Sequence, residues 1–99
     1  MDIRIQSIHF DASEQLQDFV KKKTNKLGKF CDDITTAEVS LKVIKPETVE
    51  NKEVGIKLFV LGETLYARKV CNTFEQAVDD ALEALEKQIH KYKEKQPNK

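Results

Sequence analysis

One segment constrains this chain more than any other. Between residues 74 and 92 the apolar residues Phe74, Val78, Ala81, Leu82, Leu85, Ile89 and Tyr92 recur mostly three and four positions apart. That spacing puts them on one side of a helix. Asn72 or Thr73 offers the N-cap, and the pattern runs to about Lys95. Asp79, Asp80, Glu83 and Glu86 occupy its first half and Lys87, Lys91, Lys93 and Lys95 its second. This order complements the helix macrodipole, and Glu83 with Lys87 adds an i,i+4 pair. A long helix with one apolar stripe needs a broad apolar surface to lie on. The chain has 99 residues, enough for one domain, so its remaining segments must supply that surface.

They do so as alternating strands. Residues 2–8 place Ile3 and Ile5 on one face and Arg4 and Gln6 on the other. Asp11 and Ser13 are candidate N-caps, with Asp11 and Glu14 set for a capping-box-like start. Over residues 13–30, Leu16, Phe19, Val20, Leu27 and Phe30 form a second helical stripe, with Gly28 at its fraying end and Asp32-Asp33 closing it. Residues 36–44 alternate again, Val39, Leu41 and Val43 inward. Residues 45–53 are polar and include a proline, which predicts a loop. Val54, Ile56, Leu58 and Val60 share one face of a strand over 54–61, and residues 64–70 return as its hairpin partner. Gly62-Glu63 suits a type II′ turn. That register sets Val60 opposite Leu65, Leu58 opposite Ala67, Phe59 opposite Tyr66 and Lys57 opposite Arg68.

The order β-α-β-β-β-α predicts an α+β fold, a four-stranded sheet with two helices packed on one face. Double-stranded-RNA-binding domains share its βββα part. The expected core is Leu16, Phe19, Leu41, Ile56, Leu58, Val78, Leu82 and Leu85. Residues 1–95 form a single domain, and 96–99 should fray.

Charged residues make up 34 % of the chain, yet the formal net charge is zero. The zero hides a dipole. Residues 21–29 carry +5 without an acid and residues 87–99 carry +4, which leaves −9 for the rest. Lys22, Lys26 and Lys29 share a helix face. Lys23 falls within the apolar stripe and must run its stem along the core to bring its ammonium to the rim. If the two helices run side by side in one direction, their lysines merge into a phosphate-binding surface. Phe59 and Tyr66 either stack on bases from the open sheet face or only stabilise the sheet.

Chemistry of other kinds finds no support. Cys31 and Cys71 form no Cys-x-x-Cys pair, and His9 and His90 are isolated. There is no zinc motif, no glycine-rich phosphate loop and no nucleophile motif. Asp79 and Asp80 are adjacent and point to different helix sectors. The chain is expected not to be an enzyme, with no cofactor, no metal and no small-molecule substrate. It has no apolar run near the ~20 residues of a membrane span and no signal-peptide pattern at its start. The expectation is a cytoplasmic protein with reduced cysteines and no membrane partner.

Two segments carry a family resemblance. The first runs from Phe74 to Lys95, an aromatic followed by Ala77-Val78-Asp79 and then by Leu85-Glu86-Lys87-Gln88-Ile89-His90-Lys91-Tyr92-Lys93-Glu94-Lys95. The second is Leu16-Gln17-Asp18-Phe19-Val20-Lys21-Lys22-Lys23-Thr24-Asn25-Lys26-Leu27. Together, in this order, with a Gly-turn hairpin between them, they resemble the ribosome hibernation-promoting factors and ribosome-associated inhibitors, also called sigma-factor modulation proteins. The resemblance covers residues 1–95. It implies a factor that binds small-subunit rRNA in the channel used by messenger and transfer RNA and silences translation under stress or in stationary phase. It carries RNA contacts onto Lys23, Lys26, Lys29, Lys87, Gln88, Lys91, Lys93 and Lys95. Lys22 and Arg68 join them by position alone. The position of Ala84 is often basic in the family, which weakens the patch by one charge. Long members add a dimerising domain, so a chain ending at Lys99 resembles a short form, monomeric off the ribosome. Two other readings stand beside this one. They are a general structured-RNA-binding module and a protein–protein regulator acting through its acidic surface.

Overall fold

The alternating segments assemble into one mixed sheet. The computed structural model describes residues 1–44 and 50–95. Within them lie β1 (Asp2–Ile8), α1 (Glu14–Asn25), a 3₁₀ turn (Lys26–Lys29), β2 (Thr36–Val43), β3 (Lys52–Val60), β4 (Glu63–Cys71) and α2 (Phe74–Glu94). The strand order is β1-β2-β3-β4. β1 and β2 pair in parallel, and the other two pairs are antiparallel. A parallel pair needs a crossover, and α1 with its 3₁₀ turn is that crossover. Both helices pack on the same face of the sheet, as the pattern predicts. The anticipated frayed tail at 96–99 and most of the anticipated 45–53 loop lie outside the described residues. Its last two positions, Lys52 and Glu53, already belong to β3.

Side-chain hydroxyls start both helices. Ser13 Oγ accepts from the Leu16 amide at 3.1 Å, so Ser13 rather than Asp11 caps α1. Thr73 Oγ1 accepts from the Gln76 amide at 3.1 Å and caps α2. The α1 stripe ends differently from its prediction. From Lys26 the chain tightens to 3₁₀ geometry, which rotates each residue about 20° further than an α-helix does. Leu27 stays buried, but Phe30 swings off the stripe and is 48 % exposed.

The core is one layer between sheet and helices. Val39, Leu41, Val54, Ile56, Leu58, Val60, Leu65 and Ala67 meet Val78, Ala81, Leu82, Leu85 and Ile89 of α2, with Val20 and Leu27 beside them. Leu16 and Phe19, expected inside, are only partly buried at the core's margin. Phe10 and Phe74 stack with centroids 4.7 Å apart and planes 12° from parallel, joining the end of β1 to the start of α2.

The β3–β4 hairpin departs from its predicted register. Leu58 faces Leu65, Ile56 faces Ala67, Lys57 faces Tyr66 and Gly55 faces Arg68. The turn is Leu61-Gly62, between Val60 and Glu63, and Gly62 has φ +92°. Glycine therefore supplies the left-handed conformation at the second central position, as in a type II turn, not at the first. The register moves by two residues, an even number, so every side chain keeps its face. The pairing of Phe59 with Tyr66, and of Lys57 with Arg68, does not form. Tyr66 lies instead across Gly55, where a Cβ would sit 2.9 Å from the phenol oxygen. A ring covering a cross-strand glycine is a structural role for that aromatic.

Two substitutions test this core. Leu85 is fully buried, so Leu85→Ala should cost about 2–5 kcal/mol in urea unfolding. Thr24 is also fully buried, and its Oγ1 has no hydrogen-bond partner among the described residues. An unmatched buried hydroxyl costs about 1–3 kcal/mol. Thr24→Val, which keeps the shape and removes the hydroxyl, should therefore leave the urea midpoint unchanged or raise it. A clear fall would mean that the hydroxyl is matched in solution.

Candidate nucleic-acid interface

The helix termini decide how the basic residues are shared out. Lys23 Nζ lies 3.8 Å from Asp79 Oδ1, near the start of α2. Lys29, at the end of the 3₁₀ turn, shares a cleft with Tyr92 and Lys93, near the end of α2. The α1 segment and α2 therefore run side by side in the same direction, the arrangement required for their basic ends to meet.

The meeting is partial. The groove between α1 and α2 is lined by Lys23 and Lys26 on one wall and by Asp79, Glu83 and Glu86 on the other. An acidic row thus stands inside the surface that the lysine counts alone suggest is acid-free. Lys23 is half-buried, paired with Asp79, and its ammonium lies 5.6 Å from the Phe19 ring centroid. Its stem runs along the apolar margin, as its place in the stripe predicts. Such a half-exposed pair contributes at most about 1 kcal/mol. Lys22, Lys26 and Lys29 are exposed.

On α2 the basic residues divide between two flanks. Lys93 faces the cleft shared with Lys29. Lys87 lines a second cleft with Lys69 of β4, Asp80, Glu83 and Ala84. Lys91 follows Lys87 by four residues and shares its flank. Lys91 and Lys95 are exposed. Gln88 is engaged within the fold. Its Nε2 donates to the Tyr66 carbonyl at 2.7 Å, and its Oε1 accepts from the Tyr66 amide at 3.4 Å. The side-chain amide thereby occupies one rung of the edge strand β4, which would otherwise be open to pairing.

Arg68 stands apart. Even-numbered residues of β4 point away from the helices, so Arg68 is on the open sheet face, where it forms an ion pair with Glu53. The structure does not bring it together with the helix lysines. Lys69 is the basic residue that the sequence reading passed over. It falls on the inward parity of β4, where a lysine is unexpected. Leu65 and Ala67 on the same face of β4 are buried, whereas Lys69 stays exposed in the cleft it shares with Asp80, Glu83, Ala84 and Lys87, which only the tertiary structure shows.

No helix among the described residues is long and apolar enough to cross a membrane. Nor is any group of three or more His, Cys, Asp or Glu side chains there placed to hold a metal ion. Cys31 is buried. Cys71 is half-buried and donates to Asp80 Oδ2 at 3.5 Å. Burial, then that hydrogen bond, push the Cys71 thiol up, away from reactive thiolate. His9 follows β1 with φ 70°, its Nδ1 3.4 Å from the Val43 carbonyl.

The chain matches the family model described as sigma 54 modulation protein / S30EA ribosomal protein over residues 3–97. It belongs to that family. Ribosome hibernation promoting factors from Azotobacter vinelandii and Pseudomonas putida are each 28 % identical over 96 residues. Those matches cover 97 % of this chain and 86 % and 90 % of theirs. A ribosome hibernation promotion factor from Deinococcus radiodurans is 30 % identical over 84 residues, and there the match spans only 44 % of the relative's length. Among solved structures, a ribosomal subunit interface protein from Coxiella burnetii is 25 % identical. It superposes with a TM-score of 0.84 over 94 % of this chain and 98 % of its own. The N-terminal domain of Thermus thermophilus Protein Y, at 20 % identity, superposes with a TM-score of 0.81 over 93 % of this chain and 99 % of its own and shares the fold.

The cleft between the helix ends is braced by Tyr92. Its ring is buried, and its hydroxyl lies 2.8 Å from Asp33 Oδ2 and 2.7 Å from the Leu61 carbonyl oxygen. One group thus joins α2 to the segment before β2 and to the β3–β4 turn. Burial, then the hydrogen bond to Asp33 and its charge, raise the phenol from 10.0 to about 12. The folded value lies above the unfolded one, so the stabilising contribution is complete below pH 10 and is lost as pH rises towards 12. Stability measured by urea titration should therefore fall over that interval in the parent protein and much less in Tyr92→Phe. Equal slopes in the two proteins would show that the phenol is not protected.

Proposed function

We propose that this protein binds rRNA of the small ribosomal subunit in the channel used by messenger and transfer RNA, and silences translation under stress or in stationary phase. Membership of the family is the observation that carries the reading. The hibernation-factor names of the relatives supply the activity. The parallel helices support it by setting Lys29 beside Lys93 at one end and exposing Lys87 and Lys91 on the flank over β4. Lys22, Lys26 and Lys95 extend these surfaces. Lys23 and Gln88 act first as packing residues, and Arg68 plays no part in the helix patch. On this reading the protein is a stoichiometric, non-catalytic blocker that acts in the cytoplasm and is monomeric off the ribosome.

Phosphate contacts release counterions, so affinity should fall steeply with salt. Each lysine removed should lower the salt slope by about one. Lys87→Glu with Lys91→Glu should weaken co-sedimentation with small subunits by at least about tenfold at moderate salt. Folding should hold, since exposed charge changes usually alter stability by only about 0.5 kcal/mol. A folded double variant that pellets as well as the parent would remove this flank from the interface. A general duplex-RNA binder would prefer duplex RNA to subunits. A regulator acting through acidic residues would keep its activity in the same variant.

A further inference from the structure

Four large apolar side chains are exposed among the described residues, Met1, Phe30, Leu61 and Tyr66. Three have a reason within the fold. Met1 reaches the backbone at Gly28, Leu61 sits in the hairpin turn, and Tyr66 covers Gly55. Phe30 has none. The 3₁₀ turn ejects it from the helix stripe and leaves it 48 % exposed on the wall of a cleft of about 370 Å³. The same cleft is lined by Lys29, Lys93, Cys31, Asp32, Asp33 and Tyr92. The Asp33 carboxylate is turned onto the Tyr92 hydroxyl, whereas Asp32 is exposed.

We infer that this cleft takes a single unpaired nucleotide, with its base stacked on Phe30, its flanking phosphates held by Lys29 and Lys93, and guanine favoured by Asp32. An aromatic ring sharing a cleft with two lysines suits a base and its backbone, because every base offers a π face and every link a negative charge. A carboxylate at the edge of such a platform accepts two hydrogen bonds and offers none. Among the common bases, guanine presents two adjacent N–H donors to such a group, so it matches Asp32 where uracil and adenine do not. Membranes fit poorly, since Asp32 would face anionic headgroups. This inference rests on the rRNA-binding reading and sharpens it. It names a base contact, which the lysines alone do not provide.

The test uses the full chain and two probes. One is the purified small subunit in co-sedimentation. The other is a set of short uridine oligoribonucleotides carrying one central guanosine, one central adenosine or neither, followed by fluorescence anisotropy. Phe30→Ala and Phe30→Leu should each weaken binding to both probes by about tenfold, the typical value of one stacked base, while Phe30→Tyr retains it. Asp32→Asn should erase the preference for guanosine without erasing binding. Circular dichroism and urea unfolding confirm that each variant is folded, as expected for a half-exposed position. Unchanged small-subunit binding by Phe30→Ala, alongside loss in the Lys87/Lys91 double variant, overturns the nucleotide site and leaves the ribosomal function standing. Weaker subunit binding by Phe30→Ala, with unchanged oligonucleotide binding, would assign the contact to a ribosomal protein and also overturn it. Guanosine-dependent oligonucleotide binding that needs Phe30, in a protein that never pellets with subunits, would keep the site and overturn the function.

Discussion

Burial of the apolar side of α2 on the sheet is the contact on which the rest of this structure depends. Val78, Ala81, Leu82, Leu85 and Ile89 lie against the inward residues of β3 and β4. At ~25 cal/mol per Å² of apolar surface, such a row outweighs any ion pair on the outside. It also sets the helix axis, and so the place of every basic residue on α2. The flanks of α2 take their roles from that axis. One flank reaches over the edge of β4, where Gln88 holds the Tyr66 backbone. The other faces α1, where Asp79 meets Lys23.

Electrostatics follow packing here and do not lead it. The acidic first half of α2 suits the helix dipole, but it also falls beside the lysines of α1. The groove is therefore of mixed charge where the helices are closest. Lysines also gather at the far end, where Lys29 and Lys93 share a cleft with Asp32 and Asp33, and on the flank of Lys87 and Lys91, where Lys69 stands with Asp80 and Glu83. A chain of zero net charge thereby still exposes lysines at both helix ends that can meet phosphates. Its acidic residues help to hold α1 against α2.

Tyr92 shows how structure and site are joined. The residue whose hydroxyl ties α2 to the β3–β4 turn and to Asp33 also lines the cleft at the helix ends. Its hydrogen bonds hold three chain segments in register around that cleft. They are made by a residue that the helical stripe marks only as apolar.

The sequence by itself determined the element order, the inward faces of all four strands, the α2 stripe, the α1 stripe as far as Leu27 and the snorkelling of Lys23. Each follows from periodicity within one segment, where the backbone repeat alone dictates which side chains share a side. It also carried the family, through two segments read in order. Tertiary structure alone decided the hairpin register, because a shift of two residues leaves every face unchanged and alternation cannot detect it. Alternation also sets Arg68 on the open face of β4, whereas tertiary structure alone decided that Glu53 pairs with it, that acids interrupt the lysine surface, and that Gln88 binds an edge strand. Those outcomes depend on which segments become neighbours. Phe30 belongs with them. Its place in the stripe held only while the α-helix continued, and the tighter 3₁₀ turn from Lys26 onward rotated it out to solvent.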